Sequence, residues 1–390
     1  MTQFAVLHLR SPGEVRESAA PWDDLWRRSG VTLPTARAAL VAHWVQQLAP
    51  ERRFHALAIE GDGRWLAALP LVESRLRQIV KVGRLPSNEW SWAGDLLLDP
   101  DATAEVLERL IDAIVELSLP LLWFDGVPLG QPHWQRFLDA LRRRGIAYER
   151  HERFRIGLVD LTNNWDAYQA AWSGNFRRQM RKMTRRADEL GGVALSVHRP
   201  TDAAELERLL QLGFAVEDRS WKGRDGTSVL KSPEMHQYLC EQAGLLNNLG
   251  HLELFFLEFD GQPIAFEYGM LGKRTYFSPK VGYDDEYSHL SPGQLLRLKM
   301  TEQFFADPAR DTWDFLGPLV EATDRWTTSA YAIERLVVAT GGISGRLALR
   351  AYRDWWPAVR RLRDRCRGGS ECNNGKLQVA ESSLSAMRSQ

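Results

Sequence analysis

The sequence predicts an α/β (α+β) protein of two domains, on three observations. The chain has 390 residues, more than one ordinary hydrophobic core organises. Two β-hairpins of the same grammar occur far apart in it. The first runs Phe54-His-Ala-Leu-Ala-Ile-Glu, a Gly61-Asp-Gly turn, then Arg64-Trp-Leu-Ala-Ala-Leu-Pro-Leu. The second runs His251-Leu-Glu-Leu-Phe-Phe-Leu-Glu-Phe, an Asp260-Gly turn, then Gln262-Pro-Ile-Ala-Phe-Glu-Tyr-Gly. Around both, helical periodicity alternates with short apolar strands. The repeated hairpin reads as an internal duplication of one α/β unit.

In chain order, Phe4–Leu9 reads as a strand followed by a loop, and helical patterns cover Trp22–Arg28 and Ala36–Leu48. After the first hairpin, extended chain continues to about Leu98. Then come a helix over Asp101–Leu117, a buried strand over Leu119–Asp125, a helix over Gln131–Arg144 and a strand over Ile146–Leu161. The second half restarts with helices over Trp165–Trp172 and Asn175–Leu190, a strand over Val193–His198 and a helix over Ala203–Ser220. A loop with Gly223 and Gly226 leads to a helix over Pro233–Leu246 and the second hairpin. A strand over Arg274–Val281, a helix over Pro292–Phe305, strands over Thr312–Leu316 and Ile333–Ala339, and a helix over Gly345–Arg365 complete the reading. The expected domains are 1–160 and 161–366, with a polar, disordered tail over 367–390.

Composition excludes several classes. Basic and acidic residues number 50 each, so no global positive field points to nucleic acid and any basic site is local. No apolar run reaches the length of a membrane span, and Met1–Arg10 lacks a signal-peptide core. The three cysteines, Cys240, Cys366 and Cys372, form no metal-type pair and suit a reducing cytoplasm. No metal is expected. Most of the 15 tryptophans are expected in the core, with some left for a pocket.

Two segments carry chemistry. Ser291-Pro-Gly-Gln294 opens a helix, and Ser with Gln three residues later reads as a capping box. Pro292 suits the first turn, and Gly293 lets a ligand approach the backbone. Such a helix start offers free N–H groups and a positive dipole end to a diphosphate. It is also what a well-capped core helix looks like. The matching stretch of the first half, Leu98-Asp-Pro-Asp101, has no glycine and two carboxylates, so an anionic donor is expected in the second domain only. The other segment is the helix over 175–190. Phe176, Met180, Met183, Ala187 and Leu190 form its apolar stripe, while Arg177, Arg178, Arg181, Lys182, Arg185 and Arg186 lie off it. A solvated face and a site for phosphate groups or a nucleic-acid backbone both fit that pattern.

Five segments in order resemble a known family. They are Asn175-Phe-Arg-Arg-Gln-Met-Arg-Lys with Leu190-Gly-Gly-Val193, Trp221-Lys-Gly with Gly226-Thr, Asp260-Gly-Gln-Pro-Ile-Ala265, Ser291-Pro-Gly-Gln-Leu295, and Asp314-Phe-Leu-Gly-Pro318 with Trp326. Together they resemble the GNAT-like acetyltransferases associated with CelD-type cellulose biosynthesis, which are related to the Fem peptidyltransferases. The resemblance implies tandem GNAT-like domains, each a mixed, mostly antiparallel sheet flanked by helices. It implies acyl transfer from acyl-CoA to an amine or hydroxyl of a small or carbohydrate-linked acceptor, with aminoacyl-tRNA as donor in Fem-type relatives. A non-catalytic binding protein in a biosynthetic assembly is the third reading, because Thr323 stands where the family commonly has Lys.

Direct acyl transfer needs a held donor, a general base and an oxyanion donor. The donor is expected at Ser291, Pro292, Gly293, Gln294 and Leu295. Asp314, Glu267 and Asp284, in or near strands, are the candidate bases, Asp314 first because it precedes a glycine-containing loop. Trp221, Lys222, Tyr268 and Lys280 are candidate acceptor contacts, and Arg178 and Arg181 candidate partners for an anionic acceptor. No nucleophilic triad, Walker loop or dinucleotide glycine pattern stands out.

Overall fold

The computed structural model describes residues 4–76 and 78–367. Its elements in order are β1 (Ala5–Leu9), α1 (Pro12–Glu17), α2 (Ala19–Arg28), α3 (Ala38–Leu48), β2 (Phe54–Gly61), β3 (Arg64–Leu76), β4 (Val80–Arg84), β5 (Leu97–Leu98), α4 (Ala104–Glu116), β6 (Leu121–Val127), α5 (Pro132–Arg143) and β7 (Tyr148–Asp160). The second half adds α6 (Trp165–Ala171), α7 (Gly174–Glu189), β8 (Ala194–His198), α8 (Ala203–Asp218), α9 (Trp221–Arg224), α10 (Pro233–Asn248), β9 (Leu252–Phe259), β10 (Gln262–Gly272), β11 (Thr275–Tyr283), α11 (Pro292–Ala306), β12 (Thr312–Pro318), α12 (Glu321–Asp324), β13 (Ser329–Ala339) and α13 (Gly342–Arg367). Apart from Arg367, the expected tail lies outside the described residues.

The chain forms two compact units that are not contiguous in sequence. One takes the described residues up to Gly30, Trp44–Arg153 and those from Ile333 onward; the other takes Val31–His43 and Phe154–Ala332. The chain thus changes unit after Gly30 and inside α3, β7 and β13, whereas the sequence reading divides its folded part once, after residue 160.

In the first unit, β1, β2, β3 and β4 form an antiparallel meander. β4 then pairs in parallel with β6, and β6 pairs antiparallel with β13. A crossover through α4 makes the parallel pair possible. Val106, Leu110, Ile111 and Ile114 of α4 and Trp134, Phe137, Leu138 and Leu141 of α5 recur at helical spacing. They bury one face of this sheet against Leu57, Leu69, Leu122, Phe124, Leu336 and Val338. On the other face, Val82, Leu121, Trp123 and Val337 pack under Leu349 of α13.

The second unit repeats the order. β8, β9, β10 and β11 are antiparallel neighbours, β11 pairs in parallel with β12 after α11, and β12 pairs antiparallel with β7. Each unit is therefore a mixed, mostly antiparallel sheet flanked by helices, as the family resemblance implies. α6, α7 and α11 cover one face through Tyr168, Phe176, Met180, Leu296 and Phe304, with Trp326 beside them. α8 and α10 cover the other, where Phe214 stands edge-on to Phe266.

Three short helices, α1, α9 and α12, escape the sequence reading. α1 sits in what reads as a loop, although Ser11 Oγ accepts from the Glu14 N–H at 3.1 Å. The Trp221-Lys-Gly loop is one helical turn, α9. Leu190, read as part of the α7 stripe, is half exposed because it caps the helix end rather than facing the core.

Candidate active site

The site grows from the place where two parallel strands part. β11 and β12 are joined at Thr275↔Thr312, Tyr276↔Trp313 and Phe277↔Asp314, and not beyond. Two local irregularities open the gap. Against β10, the register of β11 slips between Tyr268↔Lys280 and Met270↔Phe277, placing a one-residue bulge at Ser278-Pro279. On β12, the Asp314 carboxylate accepts from the Leu316 N–H at 2.7 Å, and Leu316 adopts a left-handed φ of 52°. Pro279 adds no N–H of its own. Beyond the last rung the two strands present separate edges.

Pleating sorts the side chains to the two faces of this opening. On the α11 face, Glu267 is buried and Ser278 Oγ donates to its carboxylate. Trp313 Nε1 in turn donates to Ser278 Oγ at 2.6 Å. Burial pushes the Glu267 carboxyl up to about 7, against the pull of the Ser278 hydroxyl and of Arg297. Arg297, from the middle of α11, lies 5.1 Å over the Phe315 ring and 6.0 Å over Trp326. Asp314 points to the other face, since its neighbour Trp313 points to the first. Tyr331 Oη donates to it at 2.8 Å, and burial pushes the carboxyl up to about 6.

The start of α11 differs from its sequence reading. Ser291 is the cap residue but has φ 56° and ψ 54°, and its side chain makes no capping hydrogen bond. The expected capping box is not formed: the left-handed backbone turns the hydroxyl away, and Gln294 Oε1 accepts instead from Trp326 Nε1 at 3.0 Å. The Gln294 and Leu295 N–H groups bond back to the Ser291 carbonyl. The Gly293 N–H has no partner among the described residues. A side chain's first carbon at Gly293 would meet only the Tyr283 ring, at 3.4 Å. Leu295 is fully buried and anchors the turn.

The remaining candidates fall in three places. Asp284 accepts from the Glu286 N–H at 3.0 Å and pairs with Arg219 at 2.5 Å, so it shapes the turn before α11. Lys222 bonds Glu217 at 2.9 Å and the Val281 carbonyl at 2.7 Å, and Lys280 lies 3.4 Å from the same Glu217. Burial raises the Glu217 carboxyl, but Lys222 and Lys280 outweigh it and hold it low. Burial draws the Lys280 ammonium down, against Glu217. Trp221 is half-buried in α9 beside them. Tyr268 is fully buried away from the opening, donating to Gln242 Oε1 at 3.2 Å against α10. Its strand position reads like a cleft residue, but α10 covers it.

The basic helix splits its candidates. Arg181 lines a groove of about 390 Å³ with Arg177, Arg185, Trp165, Trp172 and Leu298. Arg178 does not line it and instead donates to Asn175 Oδ1 at 3.2 Å. Arg297, Ser278, Tyr331 and Glu217 are the site residues the sequence reading missed. Only Arg297 had a signal, a cation amid the apolar residues of α11.

Among the described residues no cluster of three or more His, Cys, Asp or Glu could hold a metal ion, and no helix is long and apolar enough to cross a membrane. No curated protein matches the chain. Among solved structures it is similar in fold to FemX, with 11% identity, TM-score 0.57, and 85% of this chain and 96% of that one covered. It is similar to the C-terminal domain of a putative lysylphosphatidylglycerol synthetase from Agrobacterium fabrum, with 13% identity, TM-score 0.52, and 87% and 97% covered. A conserved Bacteroides thetaiotaomicron protein of unknown function shares the fold at 9% identity and TM-score 0.51, with 87% and 100% covered. Residues 174–327, which hold the opening and both buried carboxyls, match the family model described as an acetyltransferase (GNAT) domain.

Proposed function

We propose that the second unit catalyses acyl transfer from acyl-CoA to an amine or hydroxyl at the opening between β11 and β12. The observation that carries this reading is the pair of parallel strands that part beside buried Glu267 and Asp314, in the segment matching the acetyltransferase model. The residues present fit such a donor. The Gly293 N–H and the positive end of α11 suit a diphosphate. The edge of β11 that β12 leaves free offers backbone partners to an amide-bearing arm. The thioester supplies an activated carbonyl.

Asp314 is the proposed general base. It stands at the last rung, on the face away from α11, so an acceptor reaching it comes from the side opposite the donor's helix. With its pKa near 6 it is mostly ionised at neutral pH and still able to take a proton. Tyr331 orients it. Glu267, enclosed by Ser278 and the field of Arg297, is proposed to hold the α11 face in place. Lys222 and Lys280, sharing Glu217, fix the end of β11, and Trp221 and Arg181 remain the proposed acceptor contacts. The acceptor class, small-molecule or carbohydrate-linked, and a cytoplasmic, CelD-like setting belong to the same proposal.

Calorimetric titration with acetyl-CoA and longer acyl-CoAs tests the donor. Micromolar binding that Gly293→Glu removes supports the reading, and no binding to any of them rejects it. A second reading, an aminoacyl-tRNA donor, rests on the exposed cations of α7, two of which, Arg181 and Arg185, rim the groove. Activity lost on ribonuclease treatment would select it.

A further inference from the structure

The first unit contains an opening of the same topology with different contents. β4 and β6 are joined in parallel at only Val82↔Leu121 and Gly83↔Leu122. Beyond these rungs β6 goes on pairing with β13, through Val337↔Trp123 and Leu336↔Phe124, while its β4 side is free. Alternation along the strands puts Arg84, Trp123, Asp125 and Arg335 on one face, at the end of the cluster formed by Val82, Leu121 and Val337.

The polar groups there do not balance. Asp125 is taken by Arg335, whose Nε donates at 2.6 Å, and by Arg153 at 3.1 Å. Arg335 also lies 4.7 Å over the Trp123 ring, and it is nearly as buried as that ring. Other acids nearby are engaged elsewhere, Glu334 by Arg150 and Glu149 by Arg353. Arg84 is left over. Its Nε is buried without a partner, and no hydrogen bond or ion pair reaches its guanidinium among the described residues. The Trp123 indole N–H is also orphaned, on a side chain only 5% exposed. Burial pulls the Arg84 pKa down; Asp125 opposes this, while Arg52 and Arg335 add to it. Two unmet donors beside surplus positive charge are costly in the folded chain unless a ligand satisfies them.

We propose that this opening binds an oxyanion, with the Arg84 guanidinium and the Trp123 N–H as its donors and Arg335 at its side. A guanidinium fork and an indole N–H both donate and neither accepts, which selects an anion over a neutral polar group. Arg84, Arg153 and Arg335 gather around the carboxylate of Asp125, which makes this end of the sheet cationic. That favours a phosphoryl dianion over a carboxylate. The glycine-free Leu98–Asp101 stretch argues against a donor loop in this half; the anion here is received by β4 and β6 instead, independently of α11.

Titration of the full chain with inorganic phosphate, and separately with acetate, tests this. Phosphate is expected to bind wild type and to bind Arg84→Met at least about tenfold more weakly. Gly293→Glu, altered at the other opening, should bind phosphate as wild type does. Phosphate should raise the Tm of wild type and leave that of Arg84→Met unmoved. Without phosphate, Arg84→Met should melt no lower than wild type, because it loses no hydrogen bond or ion pair and is relieved of the charge of Arg52 and Arg335. Trp123→Phe provides a second variant, expected to weaken phosphate while keeping the packed ring. Acetate binding as tightly as phosphate would keep the site and assign it to carboxylates. Equal phosphate responses in wild type and both variants, or none in wild type, would overturn it. So would loss of phosphate binding in Gly293→Glu.

Discussion

Glu267 and Asp314 show how burial separates two carboxyls of one opening. Both are almost wholly enclosed, but Glu267 is closed in by Ser278 on the α11 face, whereas Asp314 stands on the other face with only Tyr331 and the Leu316 N–H. If Asp314 is the base, kcat/KM rises with pH through about 6, following its ionisation. Asp314→Asn then lowers kcat by roughly 100-fold or more with acyl-CoA affinity kept. A profile without that limb, or an active Asn variant, assigns the base elsewhere. Glu267 makes a stability prediction. Its folded pKa, about 7, exceeds its unfolded value, so the folded state favours the neutral acid. Its cost is absent below the unfolded pKa, grows as pH rises, and is complete above 7. Glu267→Gln, which cannot ionise, should therefore gain stability over wild type at pH 8, by up to about 3 kcal/mol, and lose that advantage near pH 4. Urea unfolding at the two pH values measures it.

α11 and α9 are the elements on which the site depends. α11 lacks a capping side chain, but Leu295, Leu296, Met300 and Phe304 are fully buried. At roughly 2 kcal/mol for each buried large side chain, packing outweighs the missing cap and fixes the first turn. Gly293→Ala should thus fold normally, since its new carbon meets only Tyr283, while Gly293→Glu should fold and lose acyl-CoA. In α9, a carbon added at Gly223 would overlap the Asp218 carbonyl. Gly223→Ala is expected to cost about 2 kcal/mol or more and to loosen Lys222 from Val281. Thermal melts and the KM for acyl-CoA report these two effects separately.

For the molecule as a whole, the repeated topology carries two openings with opposite contents. One has buried carboxyls beside a glycine-bearing helix start; the other has unmet donors beside surplus cations. Hydrogen exchange on the intact chain distinguishes them. Acyl-CoA should protect amides of β11 and the start of α11, and phosphate those of β4 and β6; one common pattern for both ligands would contradict the separation. The sequence by itself determined the repeated hairpins, the alternation of strands and helices, and the helix start after Ser291 with Gly293. Those features rest on local periodicity and turn chemistry, which are written in consecutive residues. It also placed Glu267 and Asp314 as candidates, but not on opposite faces, because that follows from the cross-strand register Met270↔Phe277↔Asp314, which only the assembled sheet sets. The capping box failed because Trp326, 32 residues away, claims Gln294. Tyr268 left the cleft because α10 covers it. Arg84 gave no signal at all: a lone arginine at a strand end reads as surface. Only the fold brings Asp125, Arg335 and Trp123 around it, and burial is a property of that assembly rather than of the residue.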